Sequence, residues 1–92
     1  MEKYRKALAE YIAILGKNAA GTKRANDRTL YQRHLAEAAL MFVAIEKDES
    51  LEKLKGLVSL ERHTYGTGFL SEAEGSAVES AFDTFAKLVE TT

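Results

Sequence analysis

Apolar residues recur at three- and four-residue intervals in four separate segments of this chain, the spacing that places side chains on one face of an α-helix. The chain contains no proline that would break a helix, and no stretch alternates apolar and polar residues as a strand would. A length of 92 residues leaves room for one hydrophobic core. We therefore predict an all-α fold, a single-domain four-helix bundle over residues 1–92, with helices near 3–15, 28–46, 50–63 and 72–90.

Local signals predict where the first helix ends and the second begins. Gly16 stands where a C-terminal cap would end the first helix, and residues 16–24 contain two glycines and an asparagine, which predicts a loop. Thr29 and the glutamine three positions later have the spacing of a capping box for the second helix. Asn26 and Asp27 are alternative caps.

Serines mark the expected starts of the last two helices. Ser50 precedes the third, and Ser71 with Glu74 has the capping-box spacing at the fourth. Between these helices, residues 65–69 contain two glycines and interrupt the helical spacing. A phosphate-binding loop is not favoured here, because Glu72 and Glu74 would repel an anion from the helix start. We predict a turn whose aromatic residues pack back onto the bundle.

The segment Ala38–Ile45 is apolar on every face of the predicted second helix. Such a helix has to be covered on most sides, either by the bundle or by a partner. The sequence therefore predicts a contact surface in this segment, with Leu40, Met41 and Val43 as the interface residues.

Charge is distributed unevenly along the chain. Residues 1–34 contain eight Lys or Arg and three Asp or Glu, whereas residues 35–92 contain five and eleven. Basic side chains cluster between the first and second helices with one tyrosine among them, a combination that can bind phosphates and stack on bases. The overall pI of about 6.1 is low for a nucleic-acid-binding domain. The candidate ligand-binding residues are Lys23, Arg24, Arg28, Tyr31 and Arg33, with Lys17 nearby.

Catalytic and metal-binding patterns are incomplete. Without cysteine there is no thiolate ligand or thiol nucleophile, and no serine lies in a Gly-x-Ser-x-Gly motif. A metal-dependent enzyme would need His34, Glu37 and His63 to converge, although their order and spacing match no complete ligand set. We therefore expect no catalytic residues, metal or cofactor.

The absence of cysteine, of a signal-peptide core and of an apolar run near the roughly 20 residues of a membrane span predicts a cytoplasmic protein. The leading functional hypothesis is a small non-enzymatic protein-interaction module, of the size of bacterial or phage accessory proteins. It would act as a binding partner, inhibitor or adaptor, with a homo-oligomer such as a homodimer as one way to cover its apolar surface. The alternative is a nucleotide- or nucleic-acid-binding protein that uses the basic residues.

Overall fold

The computed structural model describes residues 2–23, 25–47, 50–65 and 72–92, with side chains described from residue 77 onward in the last range. It contains four helices, and no strand occurs among the described residues. The prediction of an all-α four-helix bundle is confirmed. The helices are α1 (Glu2–Gly21), α2 (Ala25–Glu46), α3 (Leu51–Tyr65) and α4 (Glu72–Glu90).

Each helix packs antiparallel against its neighbours in sequence, and α4 closes the bundle against α1. The core is the set of helical stripes that the spacing of apolar residues predicted, and each fully buried side chain of this kind contributes about 1.5–3 kcal/mol relative to exposure. The contribution of α3 is small, because only two apolar residues of this helix are buried. The large core residues are Tyr4, Leu8, Tyr11 and Leu15 of α1; Tyr31, Met41 and Ile45 of α2; Leu54 and Val58 of α3; and Val78, Phe82, Phe85 and Val89 of α4.

The predicted end of the first helix at Gly16 is wrong, because α1 continues to Gly21. The Asn18 side chain donates a hydrogen bond to the Ile14 carbonyl at 2.8 Å, and Ala19 packs against the core. A glycine inside a helix costs about 1 kcal/mol relative to alanine. Packing of the extra turn offsets that cost, so the predicted loop is much shorter.

The second helix begins at Ala25, three residues before the predicted start, so that the expected caps lie inside it. The Thr29 hydroxyl donates a hydrogen bond back to the Ala25 carbonyl at 3.1 Å. The capping box at Thr29 is therefore wrong. Asp27 lies in the first turn, where a negative charge interacts favourably with the helix dipole.

The predicted start of the third helix is confirmed, since the Lys53 amide donates to the Ser50 hydroxyl at 3.3 Å. This helix continues to Tyr65, two residues beyond the predicted end, and α4 has the predicted bounds. The turn was predicted over residues 65–69, but Tyr65 is the last residue of α3. The remaining turn residues and the capping box of Ser71 and Glu74 lie outside the described residues or side chains. None of the helices, over the residues described, is long and apolar enough to cross a membrane.

Candidate functional site

The exposed apolar surface lies on α2 and α3. In the described part of the chain, the most exposed large apolar side chains are Leu40, Val43 and Leu60, which are 54%, 45% and 56% exposed. Ala36 and Ala39 are exposed beside the first two. We call Ala36, Ala39, Leu40 and Val43 the α2 face, because their spacing places them together on the outer side of that helix.

The apolar segment predicted as a contact surface has two sides. Met41 is fully buried with Ala38 and Ile45, whereas Leu40 and Val43 point outward. Consecutive residues of a helix are about 100° apart, so one apolar segment faces both the core and the solvent. The assignment of Met41 to the interface is therefore wrong, because its side chain is part of the core.

Leu60 is a further exposed apolar residue, on α3, and was not predicted. Within α3, Arg62 contacts α4, and Leu60, two residues earlier, points about 200° away around the helix. Helical spacing could have indicated this exposure, because Leu60 does not lie on the buried stripe that contains Leu54 and Val58. An apolar residue outside the core stripe of an amphipathic helix is exposed unless another chain covers it.

The candidate basic residues lie towards the end of the bundle where α1 is connected to α2. The side chains of Lys17, Lys23, Arg28 and Arg33 are exposed, and none of them takes part in the ion pairs found among the described residues. Arg24 lies outside the described residues. The side chain of Tyr31 is fully buried in the core, so its proposed role in stacking on bases is wrong.

The two histidines have different environments, and His34, Glu37 and His63, the ligands that a metal-dependent enzyme would need, do not form a metal-binding group. The Nδ1 atom of His34 lies 2.7 Å from Oε1 of Glu61, and both residues are only 1% exposed. Glu37 is partly buried, and His63 is exposed. In the described ranges, no three His, Asp or Glu side chains form a group that could hold a metal ion.

Glu61 is the buried partner of His34 that the sequence analysis missed. It occupies a position of the α3 stripe that also contains Leu54, Val58 and Tyr65, at intervals of four, three and four residues. A carboxylate at such a position needs a hydrogen-bonding partner inside the bundle. This signal predicts a buried glutamate, although it does not identify the partner.

Four rings, one from each helix, form a cluster around the His34–Glu61 pair. The ring of Tyr65 stacks on His34 at 4.4 Å with an interplanar angle of 9°, and on Phe82 at 5.0 Å and 29°. Tyr11 contacts Tyr65 edge-on, and their hydroxyl groups share a hydrogen bond. We call Tyr11, His34, Tyr65 and Phe82 the ring cluster. Through Tyr11 and Tyr65 it connects α1 and α3, which lie diagonally across the bundle.

The two phenols of the ring cluster are weaker acids than ordinary tyrosines. Burial raises the pKa of Tyr11, and electrostatic repulsion from Tyr65, when it is ionised, and from Glu61 raises it further. Burial also raises the pKa of Tyr65, partly opposed by its hydrogen bond with Tyr11. A general acid works best with a pKa near the working pH, so these shifts indicate neutral, structural hydroxyl groups.

A guanidinium group joins α3 to α4 at the surface. The Arg62 side chain donates hydrogen bonds to Glu90 at 2.8 and 2.9 Å and to Asp83 at 3.2 Å. Hydrogen bonds from Lys87 and from Arg62 lower the pKa of Asp83. All of these groups are partly exposed, so salt screens the contacts.

A groove of about 340 Å³ between α1 and α4 contains one ionisable side chain, that of Glu10. Acid–base catalysis usually combines at least two groups whose environments separate their pKa values. The groove lining offers no such pair. Its residues are Ala7, Glu10 and Ile14 of α1, and Ala77, Ser80, Ala81 and Thr84 of α4.

Comparison with protein-family models, curated proteins and solved structures finds no match for this chain. What the protein does is therefore inferred from the geometry of its own residues.

Proposed function

We propose that this chain is a non-enzymatic protein-interaction module whose contact surface is the α2 face, and that the face pairs with α2 of a second copy. The exposure of Leu40 and Val43 on one side of α2 is the observation that carries this proposal. Exposed apolar side chains that adjoin one another are typical of contact surfaces.

The order of small and large residues on the α2 face favours a second copy as its occupant. A twofold axis between Ala39 and Leu40 would bring two antiparallel α2 helices together. Ala36 would then lie opposite Val43 of the other copy, and Ala39 opposite Leu40. In a twofold interface each contact occurs twice, so one small-to-large match is repeated on both sides. Close helix packing needs this alternation, because ridges of large side chains fit beside small ones.

The size of the α2 face determines how tightly two copies are expected to bind. Burying the exposed part of Leu40 or Val43 contributes about 1 kcal/mol, roughly half the value for a whole side chain. A dimer contains two copies of each, so the apolar gain is about 4 kcal/mol, at the lower end of the cost of association. We therefore expect a dimer that dissociates on dilution.

Light scattering over a dilution series tests this proposal. With increasing concentration, the molar mass should rise from the 10.2 kDa of one chain towards twice that value. The Leu40→Glu variant should stay at the monomer mass, because two carboxylates would meet near the twofold axis.

The matched control is Ala13→Glu, which adds the same charge at an exposed position of α1 and should leave dimerisation unchanged. A wild-type chain that stays monomeric at every concentration would exclude a second copy as the occupant of the α2 face. Equal dimerisation of the Leu40→Glu variant and the wild type would exclude this face as the interface.

The exposed basic residues favour a second candidate function, the binding of a phosphate-bearing ligand. Lys23, Arg28 and Arg33 form no ion pair with the described acidic residues, so their charges are available to a ligand. Because Tyr31 is buried, the expected contacts are with phosphates rather than with bases.

The salt dependence of oligonucleotide binding tests this second candidate. The affinity for a short DNA or RNA duplex should fall steeply with added salt, and each phosphate contact that a variant loses should reduce the salt slope by about 1. The double variant Arg28→Ala with Arg33→Ala should therefore bind more weakly and depend less on salt. Lys6→Ala, at the other end of α1, is the control. Unchanged binding in the double variant would exclude the basic residues as the site.

A further inference from the structure

The two halves of α3 are attached to the bundle in different ways. The first half buries Leu54 and Val58, whose packing does not depend on pH. In the second half, the fully buried position is occupied by Glu61, and Tyr65 is only partly buried. Attachment of this second half therefore combines the ring contacts of Tyr65 with the hydrogen bond of an ionisable group, Glu61.

The hydrogen bond between His34 and Glu61 is strongest when the carboxylate is ionised. An ionised carboxylate accepts a hydrogen bond from the imidazole ring, whether the ring is neutral or positively charged. Adding a proton to Glu61 beside a charged His34 leaves a buried imidazolium ion without a counter-charge, which is strongly unfavourable. The second oxygen of Glu61, Oε2, accepts no hydrogen bond from the described residues, so His34 is the main partner of the carboxylate.

The other groups around the pair do little to balance the charge of a buried imidazolium ion at His34. Tyr11 of α1 and Tyr65 of α3 have raised pKa values and are neutral in acid, as is any tyrosine, including Tyr31 of α2. On α4, the charge of Glu79 acts on Tyr65, but its side chain is exposed to solvent. The buried carboxyl group of Asp27 lies seven residues before His34, about 10 Å away along α2.

The contact of Arg62 with Asp83 also weakens in acid. The lowered pKa of Asp83 means that its contribution is present above the ordinary aspartate pKa and is lost as the pH falls through the lowered value. This contact therefore persists further into the acid range.

From this arrangement we propose that the second half of α3, residues 59–65, is an acid-released segment. Protonation of the His34–Glu61 pair detaches it from α2 while α1, α2 and α4 remain packed. Detachment opens the ring cluster at Tyr65. The proposal does not depend on the protein-interaction function, because the conformational change occurs in the isolated chain.

Amide hydrogen exchange tests the proposal residue by residue. Exchange is followed from about pH 8 to about pH 3, a range that spans the ordinary titration of histidine and glutamate, and is corrected for intrinsic rates. Protection of the amides in residues 59–65 should fall about tenfold more than that of α1 before the bundle unfolds. Simultaneous loss of protection in all four helices would overturn the proposal.

The double variant His34→Gln with Glu61→Gln replaces the pair by two amides that can hydrogen-bond but do not titrate. It should lose the acid-dependent exchange of residues 59–65, whereas His63→Gln, at an exposed histidine, should retain it. An unchanged acid response in the double variant would overturn the proposal. If that variant does not fold, NMR titration of the wild type decides. The His34 ring resonances and the α3 amides should then change at the same pH, and separate midpoints would contradict the proposal.

Discussion

The variant Glu61→Leu is expected to lower the free energy of unfolding by about 3 kcal/mol at neutral pH, because it leaves the buried His34 ring without its hydrogen-bonding partner. Replacing both members, His34→Leu with Glu61→Leu, should restore most of this loss. Two apolar side chains need no partner, and such exchanges of buried pairs are often neutral or stabilising. Urea denaturation of the two single variants and the double variant measures the coupling.

The control for this cycle is Glu52→Leu, the same change at an exposed position of α3, which should alter stability by no more than about 0.5 kcal/mol. A double variant as unstable as Glu61→Leu alone would contradict the expectation. It would indicate that the His34–Glu61 pair adds net stability, rather than that each member only offsets the cost of burying the other.

Phe82→Ala is expected to cost about 3–5 kcal/mol, the range for truncation of a buried aromatic residue. Phe82 is 1% exposed, and its ring contacts Tyr11 at 5.5 Å and Tyr65 at 5.0 Å between centroids. The Arg62 guanidinium lies 5.5 Å from the same ring. The variant therefore creates a cavity and removes contacts to α1 and α3 at once.

Thermal and urea unfolding of Phe82→Ala should both show this loss, while Leu60→Ala, at an exposed position, should change stability by about 0.5 kcal/mol or less. A loss below about 1 kcal/mol for Phe82→Ala would show that neighbouring side chains fill the space left by the ring. The ring cluster would then not be a main source of stability.

The number and type of the helices could be predicted because they depend on local spacing. The bounds of α4 and the cap at Ser50 followed from residues close together in sequence. The end of α1 did not, because packing of Ala19 against the core outweighs the helix-breaking tendency of Gly16. Tertiary contacts of this kind cannot be read from a single segment.

The candidate site was predicted only in part, because composition does not show which way a side chain faces. Met41 and Tyr31 lie at buried positions of their helix, whereas Leu40 and Arg28 are exposed. The His34–Glu61 contact joins residues 27 positions apart and depends on how α2 and α3 are aligned. That alignment follows from the assembled bundle rather than from helical periodicity.

The ring cluster also has an evolutionary consequence. Because each of its four members comes from a different helix and Tyr65 contacts the other three, a replacement at one position changes the fit of side chains far away in sequence. Tyr11, His34, Tyr65 and Phe82 should therefore vary together in descendants of this gene, with a second substitution accompanying the first. The four helices would be inherited as one unit, and recombination between diverged copies would be tolerated poorly wherever it separates these rings.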